Sequence, residues 1–200
     1  MKIIDISNDL LTAEVFEGDP VPELTRVKEI SLESPYNLST ISACLHNGTH
    51  IDAPSHFIPD GGGIESYDLE KFIGPCHVIE VSAGIITGRL VEDCFPRGCK
   101  RILIKSKGKA FLHETAAEAL SYLGYELVGT DGTTIEAPES NGTAHRALLN
   151  RNIAILEGLN LENAANGEYF LIAPPIKIDT AEAAFSRAIL VSDYIFWSKK

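Results

Sequence analysis

A chain of 200 residues with 44% hydrophobic and 22% charged side chains has the composition of a globular protein with a sizeable core, not of a disordered one. Its 17 Lys+Arg against 28 Asp+Glu give a formal charge of -11, which repels phosphate backbones and anionic lipid and so argues against nucleic acid or a membrane surface as partner. No apolar run reaches the ~18 residues of a membrane span, and the opening MKIIDISNDL has no signal-peptide pattern, so a single cytoplasmic domain over residues 1–200 is expected.

Taken in order, IIDIS (3–7) and NLSTISACLH (37–46) read as strands from their β-branched and alternating residues. The histidine-rich stretch HNGTHIDAPSHF (46–57) follows, and then PDGGGIESYD (59–68), a glycine-rich connection that is either a plain turn or the border of a site. CHVIEVS (76–82) and RILIKS (101–106) are further strands. LHETAAEALSYLG (112–124) is an alanine-rich helix closed by Gly124, and YELVGTD (125–131) is a strand. GTAHRALLNR (142–151) is a helix with Thr143 or Asn141 as its cap, IAILEGL (153–159) is a strand, and RAILVS (187–192) is the last one. Strand, helix, strand, helix, strand in the second half predicts an α/β fold with parallel pairing there, whereas the β-rich first half must add antiparallel strands or a second small sheet.

The chain holds six histidines, and three of them lie between residues 46 and 56. His46, His50, Asp52 and His56 are all at even positions, so in an extended chain they share one face. Asn47-Gly48, β-branched Thr49 and Ile51, and Pro54 disfavour a helix here. A straight chain would leave His46 roughly 13 Å from His50, so a bend is required, and a bulge at Gly48 is expected. Two imidazoles and a carboxylate suit a divalent transition metal such as zinc or manganese. The alternative is a polar surface loop, which four in-phase ligand types make the weaker reading.

HNGTHIDAPSHF resembles the HxGTHxDxPxHF motif of the cyclase-like metal-dependent hydrolases, the family of bacterial kynurenine formamidase and isatin hydrolase. The following PDGGGIESYDLEKFIGPCHVIEV and the later HRALLNRNIAILEGLNLE are similar to the family's corresponding stretches, from about residue 3 to residue 192. The resemblance implies that His46, His50 and Asp52 bind a first ion, and that Asp52 bridges to a second held by His145 and Glu157. It implies that His56 transfers protons and that the fold is a swivelling β/β/α type with a mixed sheet in dimers or larger oligomers; in metal-assisted hydrolysis Glu157, where it is not purely a ligand, can orient the attacking water. The implied cofactor is one or two divalent ions per chain, Zn2+ first and Mn2+ second, and the implied activity is hydrolysis of a small amide such as N-formylkynurenine.

Two segments depart from the family pattern. AEVFEGDPVPEL (13–24) places Phe16 and Glu17 where formamidase-like members carry an aromatic and a proline, and IDTAEAAFSRA (178–188) replaces a glycine- and proline-containing run while keeping Arg187. Substrate choice therefore stays open among an aryl formamide, a lactone or isatin-like cyclic amide, and a cyclase reaction. A metal-binding protein without catalysis is a third class, disfavoured by the retained His56. His77 and His113 fall outside both motifs and read as structural, with His113 on a helix surface. Cys44, Cys76, Cys94 and Cys99 form no CxxC pair and read as free packing thiols. No GxSxG elbow, phosphate-binding glycine loop or dinucleotide fingerprint is present.

Overall fold

The computed structural model describes residues 1–193. In chain order the strands are β1 (Lys2–Asp5), β2 (Glu23–Lys28), β3 (Leu38–Ser42), β4 (His50–Asp52), β5 (Ile73–Glu80), β6 (Gly84–Ile86), β7 (Arg101–Lys105), β8 (Ala110–Leu112), β9 (Leu127–Thr130), β10 (Ala154–Glu157), β11 (Gly167–Ile172), β12 (Ala183–Phe185) and β13 (Ile189–Ser192). The helices are α1 (Gly88–Cys94), α2 (Glu114–Tyr122) and α3 (Thr143–Leu149). Nine strands form one mixed sheet in the order β1-β13-β11-β5-β7-β9-β10-β4-β12, while β2-β3 and β6-β8 are separate pairs.

At the centre, β5, β7, β9 and β10 run parallel, as the alternation of strands and helices in the second half requires. These strands are apolar on both sides. Ile102, Ile104, Val128 and Ile155 face the cluster built with α1, α2 and α3. Leu103, Leu127, Ala154 and Leu156 face the other cluster. That second cluster also contains Ile51 and Ala184 from one end of the sheet and Ile4 and Leu190 from the other, so the sheet curls around it. The fold is thus α/β with a mixed sheet and a β-rich first half.

The helices form where expected, with different ends. Residues 110–112 belong to β8, so α2 begins at Glu114, and exposed His113 is its N-cap, with Nδ1 accepting from the Thr115 N–H at 3.3 Å. Gly124, at φ +84°, closes it. Neither Thr143 nor Asn141 caps α3. Gly142 occupies the cap position, in a left-handed conformation that offers no side chain, and the Glu136 carboxylate supplies the acceptors instead.

The predicted strand 37–46 ends at Ser42, because β3 pairs with β2 in a hairpin whose residues are all exposed. The strands β2, β6, β8, β11 and β12 are additions to the elements expected from the sequence. Among the described residues no helix is long and apolar enough to cross a membrane.

Candidate metal centre

The site is built around β4, three residues long and buried on both faces. Its antiparallel register with β10 sets Glu157 opposite His50 and Ile155 opposite Asp52. Paired residues share a face, so His50, Asp52 and Glu157 all point to the helical side, while Ile51 and Leu156 point into the other core. On that helical side α3 presents the buried His145. Tyr67 fixes β4 from behind, its hydroxyl donating to the Asp52 carbonyl at 3.3 Å.

His46 and His56 reach the site by turns and not by strand periodicity. The expected bulge at Gly48 is replaced by a turn at residues 44–47. There the Asn47 side-chain oxygen accepts from Cys44 N–H at 2.9 Å and Asn47 N–H donates to Cys44 O at 3.1 Å. Gly48 then takes φ +61° against the backbone of Leu10. On the other side Pro54 opens a single 3-10 turn, Pro54–His56, that swings His56 back to the cluster. The glycine-rich stretch buttresses this turn: Ser55 N–H donates to Gly62 O at 3.0 Å, and a Cβ on Gly61 would lie 2.7 Å from the Pro54 carbonyl carbon.

The ligand-type atoms converge as two groups that share Asp52. Asp52 Oδ1 lies 3.1 Å from His46 Nδ1 and 3.5 Å from His50 Nε2, and its Oδ2 lies 3.6 Å from His145 Nε2. Glu157 spans the same two imidazoles, with Oε2 3.4 Å from His50 Nε2 and Oε1 3.2 Å from His145 Nε2. His56 stands beside this set, its ring 4.1 Å from that of His46 and 6.1 Å from that of His145. The structure therefore brings together His46, His50, Asp52, His56, His145 and Glu157. His77, in β5, and His113 lie outside the two groups.

These residues fit a divalent ion on two counts. His50 Nε2 and both Asp52 oxygens are buried without a hydrogen-bond partner, a costly state that an ion among them would relieve. His50 Nδ1 lies 3.1 Å from Gly48 O, which fixes the proton on Nδ1 and leaves Nε2 free to ligate.

The electrostatics agree. Burial pushes His145 down, but the carboxylates of Glu136, Glu157 and Asp52 outweigh it and raise its pKa to about 10. Burial likewise opposes, and Glu157 and Asp52 overcome, a raised pKa at His50. Glu157 is held far below the carboxylate range by the two imidazoles in spite of its burial. His56 differs: burial lowers it. The buried carboxylates thus favour positive charge among these side chains.

A cavity of about 250 Å³ opens on the cluster between Phe16, Phe57, Thr133 and Thr134. Phe57 stacks on His145 with ring centroids 4.6 Å apart. Of the two divergent segments, the first lines this mouth through Phe16, and the second places Glu182 Oε1 3.7 Å from His46 Nε2. Glu136 was not picked out from the sequence. Its only local signal is a carboxylate shortly before a helix start, a place where acidic residues are favoured anyway.

Residues 4–137 match the family described as "Putative cyclase". The kynurenine formamidase of Delftia acidovorans (strain DSM 14801 / SPH-1) is 35% identical over 205 residues, covering 94% of this chain and 97% of that protein. A solved structure described as a potential metal-dependent hydrolase with cyclase activity superposes with TM-score 0.83 at 28% identity, covering 94% of this chain and 96% of that one. Isatin hydrolase A from Labrenzia aggregata has TM-score 0.81 at 20% identity, covering 94% and 93%, a likeness of fold alone. With a family match over more than half its length and this identity along nearly all of it, the chain belongs to the cyclase family.

Proposed function

We propose that this chain is a cytoplasmic, divalent-metal-dependent hydrolase of a small aryl formamide of the N-formylkynurenine kind. The observation that carries the reading is the buried convergence of three imidazoles and two carboxylates around unpartnered His50 Nε2 and Asp52 oxygens, beside a cavity walled by two aromatics. A formamidase relative at 35% identity over nearly the full chain supports the substrate class.

His46, His50 and Asp52 would hold a first ion, and Asp52, His145 and Glu157 a second, with zinc or manganese suited to such donors. The ion, once bound, supplies Lewis acidity that lowers the pKa of a water and polarises the carbonyl under attack. Asp52 and Glu157 place their oxygens between the imidazoles and neutralise charge there. His56, whose pKa is lowered by burial, takes a proton from the attacking water and returns one to the departing amine. Phe16 and Phe57 offer flat faces for an aromatic substrate and exclude water from the reacting carbonyl.

The divergent segments favour a second reading on the same chemistry. Phe16, which lines the mouth, and Glu182, which stands beside His46, both lie in segments that depart from the formamidase pattern, which keeps a lactone or cyclic amide as the alternative substrate. The exposed β2-β3 hairpin, with Leu24 and Ile41 paired across it in solvent, supports a homo-oligomer in which a second copy covers this arm.

The test is hydrolysis of N-formylkynurenine before and after chelation, and after zinc or manganese is restored. Turnover that disappears and returns with metal supports the reading. No turnover by metal-loaded protein rejects the formamidase and turns the assay to lactones and cyclic amides.

A further inference from the structure

Each of the three imidazoles grouped with Asp52 has a second ring nitrogen, and each of these lies within 3.7 Å of an oxygen. For His50 it is the Gly48 carbonyl, for His46 the half-buried Glu182, and for His145 the buried Glu136. Glu136 is the unusual one. It lies in the loop between β9 and α3, only 5% exposed, and none of the site roles above uses it.

One Glu136 oxygen takes the Gly142 N–H. The other takes the Ala144 and His145 N–H groups at 2.7 and 3.2 Å and lies 3.3 Å from His145 Nδ1. A single carboxylate therefore caps the His145 backbone and stands beside the ring nitrogen Nδ1, a buried atom that makes no other hydrogen bond. On the opposite side of that ring Nε2 faces Asp52 and Glu157.

A ligating imidazole needs one nitrogen deprotonated and aimed, and a fixed acceptor on the other nitrogen provides both. Phe57, stacked on the ring, limits its tilt but cannot choose which nitrogen faces inward. Glu136 can.

We propose that Glu136 is the positioning residue for His145: it holds the proton on Nδ1, presents Nε2 to the Asp52–Glu157 pair, and so sets the affinity for a divalent ion at that half of the site. The proposal rests on the metal reading given above.

The experiment is a competition titration of metal-stripped protein with zinc and a chromogenic chelator, in four proteins: wild type, Glu136→Gln, His145→Ala and the double variant. Glutamine is isosteric and keeps an acceptor oxygen for the Ala144 and His145 N–H groups while removing the negative charge beside Nδ1, and the melting temperature of the metal-free forms reports what capping is lost. The expected result is roughly a 10–100-fold loss of zinc affinity for Glu136→Gln against wild type, and less than about a twofold change when the same substitution is made on His145→Ala. An equal loss in both backgrounds makes Glu136 a cap only and overturns the proposal; so does wild-type affinity in Glu136→Gln.

Wild-type protein that takes up no zinc or manganese refutes the metal reading itself, a different result from either of these. If Glu136→Gln does not fold, nitrogen-15 spectra of cadmium-loaded wild type decide. Cadmium coupling to His145 Nε2 with a proton on Nδ1 supports the proposal, and ligation through Nδ1 overturns it.

Discussion

Gly158→Ala tests whether the site depends on one backbone contact. Gly158 follows Glu157 at the end of β10 and has φ +65°, and a Cβ there would lie 2.8 Å from the Gly48 carbonyl carbon, closer still to its oxygen, and 3.4 Å from Thr49 N. Two kinds of cost follow. Left-handed backbone costs a residue with a Cβ roughly 1–2 kcal/mol. Forcing the Gly48 peptide away is an overpacking of about 1–3 kcal/mol. The displaced peptide carries the carbonyl facing His50 Nδ1, and Gly158 O itself accepts from Thr49 Oγ1 at 2.5 Å and Asn8 Nδ2 at 2.9 Å. The sum, ~2–5 kcal/mol, corresponds to a fall in melting temperature of roughly 4–20 °C for a chain of this size. Gly124→Ala is the control: it has φ +84° with nothing within 4 Å of the added Cβ, so it should show the strain term alone. Calorimetry of both metal-free variants, with a zinc titration of each, separates the terms. Gly158→Ala should melt below Gly124→Ala and bind zinc at least ~10-fold more weakly than wild type. If it melts with the control and binds zinc as wild type does, the Gly48–Gly158 contact does not set the His50–Glu157 geometry.

Asp52→Ala should lose bound metal and turnover together, whereas His56→Ala should keep its metal and lose roughly 10²–10⁴ in kcat; elemental analysis showing His56→Ala empty would make it a ligand instead. Burial, reinforced by the neighbouring His46 and His145 and opposed by Asp52 and Glu157, lowers the His56 pKa, and a bound dication acts in the same direction. A base must be unprotonated, so activity should fall as pH drops through a value below the ordinary ~6.5, and a limb of kcat/KM at or above that value contradicts the role. Leu24→Lys with Ile41→Lys should reduce the native mass by light scattering while leaving the melting temperature of the residual protomer within a few degrees; an unchanged mass means the β2-β3 arm is not the oligomer contact.

The central sheet was legible because its strands are buried on both faces. RILIK, ELVGT and AILEG present apolar side chains to two cores at once, and runs of that kind separated by alanine- and leucine-rich helices leave little besides parallel pairing. The sheet's far edge was not. Ala183–Phe185 is a strand only because β4 lies beside it, and three residues rich in alanine have neither periodicity nor β-propensity of their own. The hairpin β2-β3 misled in another way. Its last strand runs on in sequence toward His46, and nothing local distinguishes a strand that continues from one that stops at Ser42, turns on Asn47, and enters a different sheet.

The same distinction divides the site. Period two correctly placed His50 and Asp52 on one face, since both sit in β4, but it was extended to His46 and His56, which arrive through turns whose geometry no alternation encodes. Glu157 needed the β4–β10 register and His145 needed the docking of α3, both contacts across about a hundred residues of chain that only the family resemblance brought into view. Glu136 shows what even a motif omits. A motif records the atoms that face the ligand, while the buried carboxylate behind His145 acts on the nitrogen facing away, and its position is fixed by a loop and a left-handed glycine cap and not by spacing. The chemistry that aims a ligand is therefore carried by residues with no signature of their own, and it becomes visible only when every buried donor in the site is asked which acceptor it meets.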